Sequence, residues 1–318
     1  FIRNIWEVKN WSNRWWPIRM AVNSMCHFGG MDSLIDYDMK NGHLREKREV
    51  RREKLHDSDQ RGKQIWGKRG VLVSRMGKLP ASIYKGELFD QNSAAIVPNS
   101  ESDLLPVLSY CQSVEFNDAV RKIDSKVNVT NATMAKVPFD ESRWVDNAAR
   151  NFSEGLPCPY SESSTHWLFH GHPAKSENPL QVAVARLLGY QWPAETDTDM
   201  ELSDEARNWI EKTKTLSSHV DDDGVVCLPA VRGEKPAHER LEALLQSAYG
   251  NEWSTHARNK LLEDIGFKNK TLELWLREKF FEQHIKLFQN RPFIWHIWDG
   301  LNDGFSVLVN YHKLDRKN

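Results

Sequence analysis

A chain of 318 residues, 40% hydrophobic and 27% charged, has the composition of a folded globular protein and material for about two domains, which excludes a disordered tail. No apolar run approaches the ~20 residues of a membrane helix, and the opening FIRNIWEVKN has neither an initiator methionine nor the apolar stretch of a signal peptide. The net charge of −1 names no partner, and Cys26, Cys111, Cys158 and Cys227 stand too far apart for a zinc site or a disulfide framework, so a cytoplasmic location is expected.

In chain order, WEVKNWSNRWWPIRMAV comes first, with Trp6, Trp11, Trp15 and Trp16 interleaved with Arg14 and Arg19. That pattern suits contact with bases and phosphates. It equally suits an amphipathic element whose indoles fill a core. The basic block KNGHLREKREVRREKLHDSDQRGKQIWGKRG follows. Between Lys40 and Lys78 there are thirteen Lys/Arg and five Asp/Glu, a local charge of +8, which leaves −9 for the rest of the chain. Such a block is the electrostatic footprint of a phosphate-binding surface. The plain alternative is a solvated, ion-paired face. A helix at its centre would align Lys47, Arg51 and Lys54.

From Gly70 the chain turns β-branched and aromatic, punctuated by Gly77, Pro80, Gly86 and Pro98, which predicts short strands joined by turns. SDLLPVLSYCQSVEFNDAV has near-helical spacing, and KVNVTNATMAKVPFD is β-prone. Residues 1–145 therefore read as a mixed α/β domain, and residues 146–318 as mainly helical. Within the second part, Ser203 is a fitting N-cap for LSDEARNWIEKTKTL, and AHERLEALLQSAYG stops on glycine. TLELWLREKFFEQHIKLFQN predicts one amphipathic helix with Leu274, Phe281, Ile285 and Phe288 on its core face. FIWHIW predicts a buried strand, with GFSVLVNY as its hairpin partner. The fold class is thus α+β, ending in a short β-hairpin.

Candidate chemistry is sparse. His166, His170 and His172 fall within HWLFHGHPA, and three imidazoles could hold zinc for a metal-dependent hydrolase or nuclease. No acidic neighbour supplies a general base, and histidines used for hydrogen bonds are the simpler account. DDDGVV reads as an acidic turn because later calcium ligands are missing. His296 and Asp299 stand three apart, which places them on opposite faces of a strand. There is no Walker loop, nucleophile elbow or dinucleotide fingerprint.

Three stretches carry a resemblance: GVLVSRMGKLPASIYKGELFDQNSAAIVP, LLPVLSYCQS with NVTNATMAKVPF, and LREKFFEQHIKLFQNRPFIWHIWDGLNDGFSVLVNYHKLDR. They resemble the C-terminal half of large adenine-specific DNA methyltransferases. The phage-growth-limitation (BREX) enzymes and similar type II restriction–modification methylases are the members in point. The likeness spans nearly the whole chain and is strongest from Phe280 to Arg316. In that family this half follows the catalytic domain and contains the target-recognition domain that reads DNA.

The resemblance implies double-stranded DNA as partner, no membrane, and S-adenosylmethionine as cofactor of the parent enzyme. No cofactor is expected in this chain. The family's N-P-P-[YF] tetrapeptide and glycine motif are missing, and PCPY (Pro157 to Tyr160) lacks the asparagine that would hold the target amine. The expectation is a fragment, cut at Phe1 and after LDRKN, with no catalytic residues of its own. The residues expected to contact DNA are Arg45, Arg48, Arg51, Arg52, Lys63, Lys68, Arg69, Arg75 and Lys78, joined by Arg14. A structural domain that binds other defence-system proteins is the reading from a third class.

Overall fold

The structure, a computed structural model, describes residues 1–9, 11, 14–40, 42–45, 62–231, 233–301 and 304–315. Arg48, Arg51 and Arg52, and the helix expected over Lys47, Arg51 and Lys54, lie outside the described residues. The protein is α+β and divides into two compact units, Phe1–Cys158 and Pro159–Asn318.

The first unit opens with strands β1 (Ile2–Asn4), β2 (Trp15–Arg19), β3 (Ser33–Asp38) and β4 (His43–Leu44). Then come β5 (Gly70–Ser74), β6 (Ala81–Tyr84), β7 (Leu88–Phe89) and β8 (Ser93–Ile96). One sheet runs β1-β3-β2-β7 with β4 on β3, all antiparallel except β2 with β7. The other, β6-β5-β8, is antiparallel, with Val71 opposite both Ile83 and Ile96. Every residue of central strand β5 is buried. That explains why GVLVS reads as a continuous apolar run rather than an alternating one.

Helices α1 (Leu104–Cys111), α2 (Val114–Ile123), α3 (Asn131–Met134) and α4 (Glu141–Asn151) complete this unit. Leu104, Leu108, Phe116 and Trp144 share a core with Val71, Val73 and Ile83. The β-prone segment around residue 130 is a correction. Thr130 Oγ1 accepts from Thr133 N at 3.2 Å and starts a helical turn instead of a strand. A local cap outweighs a propensity that has no neighbouring strand to pair with.

The second unit contains α5 (Pro179–Leu187), α6 (Pro193–Thr196), α7 (Asp204–Lys214), strand β9 (Val225–Cys227), α8 (Ala237–Tyr249) and α9 (Thr255–Asp264). It ends with α10 (Leu272–Glu278), α11 (Phe280–Leu287), β10 (Ile294–Trp298) and β11 (Ser306–Asn310). Ser203 caps α7 as expected, its hydroxyl accepting from Ala206 N at 3.1 Å. The hairpin forms with Trp295 opposite Val309, and β9 joins it as a third strand.

Two expectations need correction here. TLELWLREKFFEQHIKLFQN is two helices, broken at Lys279 (φ −126°, ψ −26°). The break moves the buried face to Leu272, Leu276, Phe280, His284 and Phe288, and leaves Leu274, Phe281 and Ile285 only half-buried. Secondly, β10 is an edge strand, and only Ile294 at its start is buried. Trp295, Ile297 and Trp298 are about half exposed, at 48%, 53% and 55%. Apolar character made FIWHIW a strand, but its outer face stays half exposed, with the Phe281 ring 5.9 Å from that of Trp295.

Candidate nucleic-acid interface

The expected DNA-contacting residues that the structure describes fall into three places. Near the start, Asp36 on β3 gathers two arginines. Arg14 donates to its Oδ2 from Nε at 2.9 Å and from Nη2 at 2.6 Å, and Arg45 Nε lies 3.5 Å from Oδ1. The carboxylate is buried while the Arg14 side chain is 61% exposed, so the pair anchors an outward-facing cation. Arg14 also lies over the Trp15 ring at 5.9 Å.

The second place is the lead-in to β5. Gly62, at φ 86°, starts the 3-10 turn Lys63–Ile65, and a Cβ on it would meet the Phe89 ring at 2.8 Å. That glycine lets the chain pass closely over β7 and presents Lys63 to solvent. Lys68 and Arg69 follow, lining a depression of about 430 Å³ with Pro98, Ser100 and Glu101. Arg69 pairs with Glu101 at 3.7 Å across exposed side chains, a contact worth little in water.

The third place is the far end of β5. Arg75 donates from Nε to Val129 O at 2.7 Å and from Nη1 to Gln91 O at 2.8 Å, tying two loops to the strand. Lys78 stands exposed in the turn before β6. Six residues of extended chain separate Arg69 from Arg75, roughly 20 Å. The cations therefore lie at the two ends of β5 and do not form one cluster. Among the described residues, Lys63, Lys68 and Lys78 have no carboxylate partner, so their charge is available.

Arg19 reads as a surface cation in WWPIRM, yet it is fully buried. Its guanidinium donates to Gly29 O, Ile83 O, Ser82 Oγ and Glu87 Oε1 at 2.8, 3.1, 2.9 and 3.4 Å. Burial lowers its pKa, and the Glu87 carboxylate opposes that shift. It is a structural brace inside the first unit. No periodic signal separates such an arginine from its exposed neighbours.

The histidine loop of the second unit is core, not a metal cradle. Among the described residues no group of three or more His, Cys, Asp or Glu is placed to hold a metal ion. His166 Nδ1 bonds Ser161 Oγ at 2.9 Å, and the His172 N–H donates to His170 Nδ1 at 3.1 Å. His170 packs against Tyr160, Phe169 and Trp209. Burial pulls the His170 pKa down to about 3 and that of His172 to about 4, helped by His172 in the first case and Arg186 in the second. Both rings are thus neutral at physiological pH. His296 and Asp299 do not meet either: His296 Nε2 bonds Ser306 Oγ at 2.5 Å, while Asp299 accepts from the Leu301 and Phe305 amides at 3.0 and 2.8 Å.

No protein-family model matches the sequence. Over 163 residues, half of this chain, it is 23% identical to the adenine-specific methyltransferase BrxX of Escherichia coli O9:H4 (strain HS). The chain spans about 13% of that protein's length. It is therefore a distant relative in sequence of an adenine-specific methyltransferase. No helix among the described residues is long and apolar enough to cross a membrane.

Proposed function

We propose that this chain is the DNA-contacting part of an adenine-specific DNA methyltransferase of the restriction–modification or phage-defence kind. The similarity to BrxX over half the chain carries the reading. The exposed cations flanking β5, which are part of the +8 block from Lys40 to Lys78, support it. The first unit, read from the sequence as ending near residue 145 and running as a compact body to Cys158, acts as the target-recognition domain, and the second unit as a mainly helical companion. The residues that bind S-adenosylmethionine and grip the extruded adenine belong to another part of the parent protein.

On this reading these cations neutralise phosphates and set the register of the duplex, while other side chains read base edges. The adenine itself must leave the stack before its amine can be methylated. Lys63, Lys68 and Lys78 supply free charge. Arg14, Arg45 and Arg69 present guanidiniums held by carboxylates, and Arg75 positions the loops beside Lys78. Arg48, Arg51 and Arg52, which lie outside the described residues, are proposed as further phosphate contacts on the charge of their block alone.

Binding of a labelled duplex to the chain, followed by fluorescence anisotropy across a salt series, tests this. Each neutralised phosphate releases condensed counterion, so affinity should fall steeply with salt. Changing Lys63, Lys68 and Lys78 together to glutamine should reduce the slope of log K against log salt by about 2.7. No binding at low salt, or a salt-independent affinity, would refute the proposal.

A further inference from the structure

We propose that the first unit contains a second ligand site, a cleft built for a neutral nucleobase or nucleoside. The cleft has a volume of about 980 Å³ and is walled by the end of α1, one face of α4, the segment from Phe152 to Cys158, and His27. That is at the upper end of the ~300–1,000 Å³ typical of small-molecule sites. It uses none of the cations assigned to phosphate contact, so it does not depend on the DNA reading.

Its lining selects the ligand class. The half-buried Phe152 ring, which lies 5.9 Å from His27, offers aromatic surface, while Trp144 on α4 lines the cleft from the core. Planar heterocycles stack on such faces whatever their sequence context. Three side-chain amides, Gln112, Asn147 and Asn151, line the same cleft. Asn151 Nδ2 donates to Asn147 Oδ1 at 2.8 Å. That bond leaves Nδ2 of Asn147 as a donor and Oδ1 of Asn151 as an acceptor. A paired donor and acceptor match the edge that adenine presents through N7 and its exocyclic amine.

A second observation points into the same space. Ser109 is 6% exposed and lines the cleft, yet its hydroxyl has no hydrogen-bond partner among the described residues. A buried hydroxyl left without a partner is unfavourable. A polar ligand atom seated here would supply that partner. Charge then narrows the class. Among the described residues no lysine or arginine lines the cleft, and the charged residue that does is Glu154. A phosphate would find no countercharge and one repelling carboxylate. An exocyclic amine or a sugar hydroxyl would find an acceptor.

The free nucleoside and an unpaired base within a strand share this chemistry, and two titrations of the full chain separate them. Calorimetry with adenosine reads the first. Competition between a fully paired duplex and one carrying an extrahelical adenine reads the second. Saturable adenosine binding identifies the nucleoside as ligand, and preference for the extrahelical duplex identifies the strand-borne base.

Either result should be weakened about tenfold or more by Asn147→Leu with Asn151→Leu, whose exposed or half-buried positions spare the fold. Ser109→Ala should weaken binding while leaving melting unchanged or raised, since it removes an unsatisfied group. Binding unaltered in both variants would overturn the proposal. So would no saturable adenosine binding up to millimolar concentration together with no preference between duplexes. A paired duplex bound without nucleoside binding or base preference would defeat this inference and leave the DNA reading intact.

Discussion

Replacing Arg19 by methionine removes a cation that solvent does not reach, since its side chain is 0% exposed. Methionine keeps most of the aliphatic stem, so the perturbation is confined to four hydrogen bonds and the pairing of Glu87. The partners left behind are the carbonyls of Gly29 and Ile83, the Ser82 hydroxyl and the Glu87 carboxylate. Breaking one side of a buried ion pair costs about 3–5 kcal/mol. Glu87 retains the Lys85 amide at 3.0 Å and 16% exposure, which softens its loss. The lower end, about 3 kcal/mol, therefore applies, and the unfolded fraction rises roughly 150-fold.

Cys111 provides the readout, because it lies in the same unit at 1% exposure and reacts only when that unit opens. Pulsed alkylation across a urea series should show its midpoint falling by about 1.5 M, for a slope near 2 kcal/mol per molar. Adding Glu87→Gln should recover about 1 kcal/mol, since the orphaned charge disappears. A loss below about 1 kcal/mol for Arg19→Met alone would refute the account of Arg19 as a brace.

The second unit should weaken in acid. His284 is buried, accepts the Ile294 amide at Nε2 and bonds Gln181 Oε1 through Nδ1, and burial lowers its pKa to about 3. Its folded pKa lies below the unfolded value, so its contribution is complete above pH ~6.5 and is lost as pH falls toward the folded pKa, about 2 kcal/mol by pH 5. Denaturation of wild type against His284→Gln at both pH values checks this, with the variant less pH-sensitive. In the hairpin region, Phe293→Ala should cost about 3–5 kcal/mol because the ring is fully buried, whereas Trp298→Ser should cost under about 1 kcal/mol. Comparable losses in thermal melts would contradict the observed exposure. Ser203→Ala should destabilise by about 1 kcal/mol through the lost cap of α7, measurable in the same melts.

Much of the fold was legible wherever one local rule acted alone. GVLVS and the segments after it announced strands because β-branched runs met Gly and Pro punctuation. Ser203 announced a helix because a cap needs only the following turn. Legibility failed where distant residues decided. One residue at Lys279 broke the expected long helix and turned its face, exchanging half-buried Phe281 and Ile285 for buried Phe280 and His284. The strand Val225–Cys227 is too short to show a period, and only pairing with β11 defines it. The candidate interface was partly readable. Its charge block stands out in composition, but nothing local tells exposed Lys68 from braced Arg75, or reveals that Arg14 and Arg45 share Asp36.

The most direct test of the central claim is a lysine footprint of the chain with and without saturating duplex DNA, resolved residue by residue by mass spectrometry. Lys63, Lys68 and Lys78 should lose reactivity on DNA binding, while Lys260 and Lys268 of the second unit, exposed and paired with Asp264 and Glu263, should label as before. Unchanged labelling at all three of these first-unit lysines, with duplex demonstrably bound, would contradict the account.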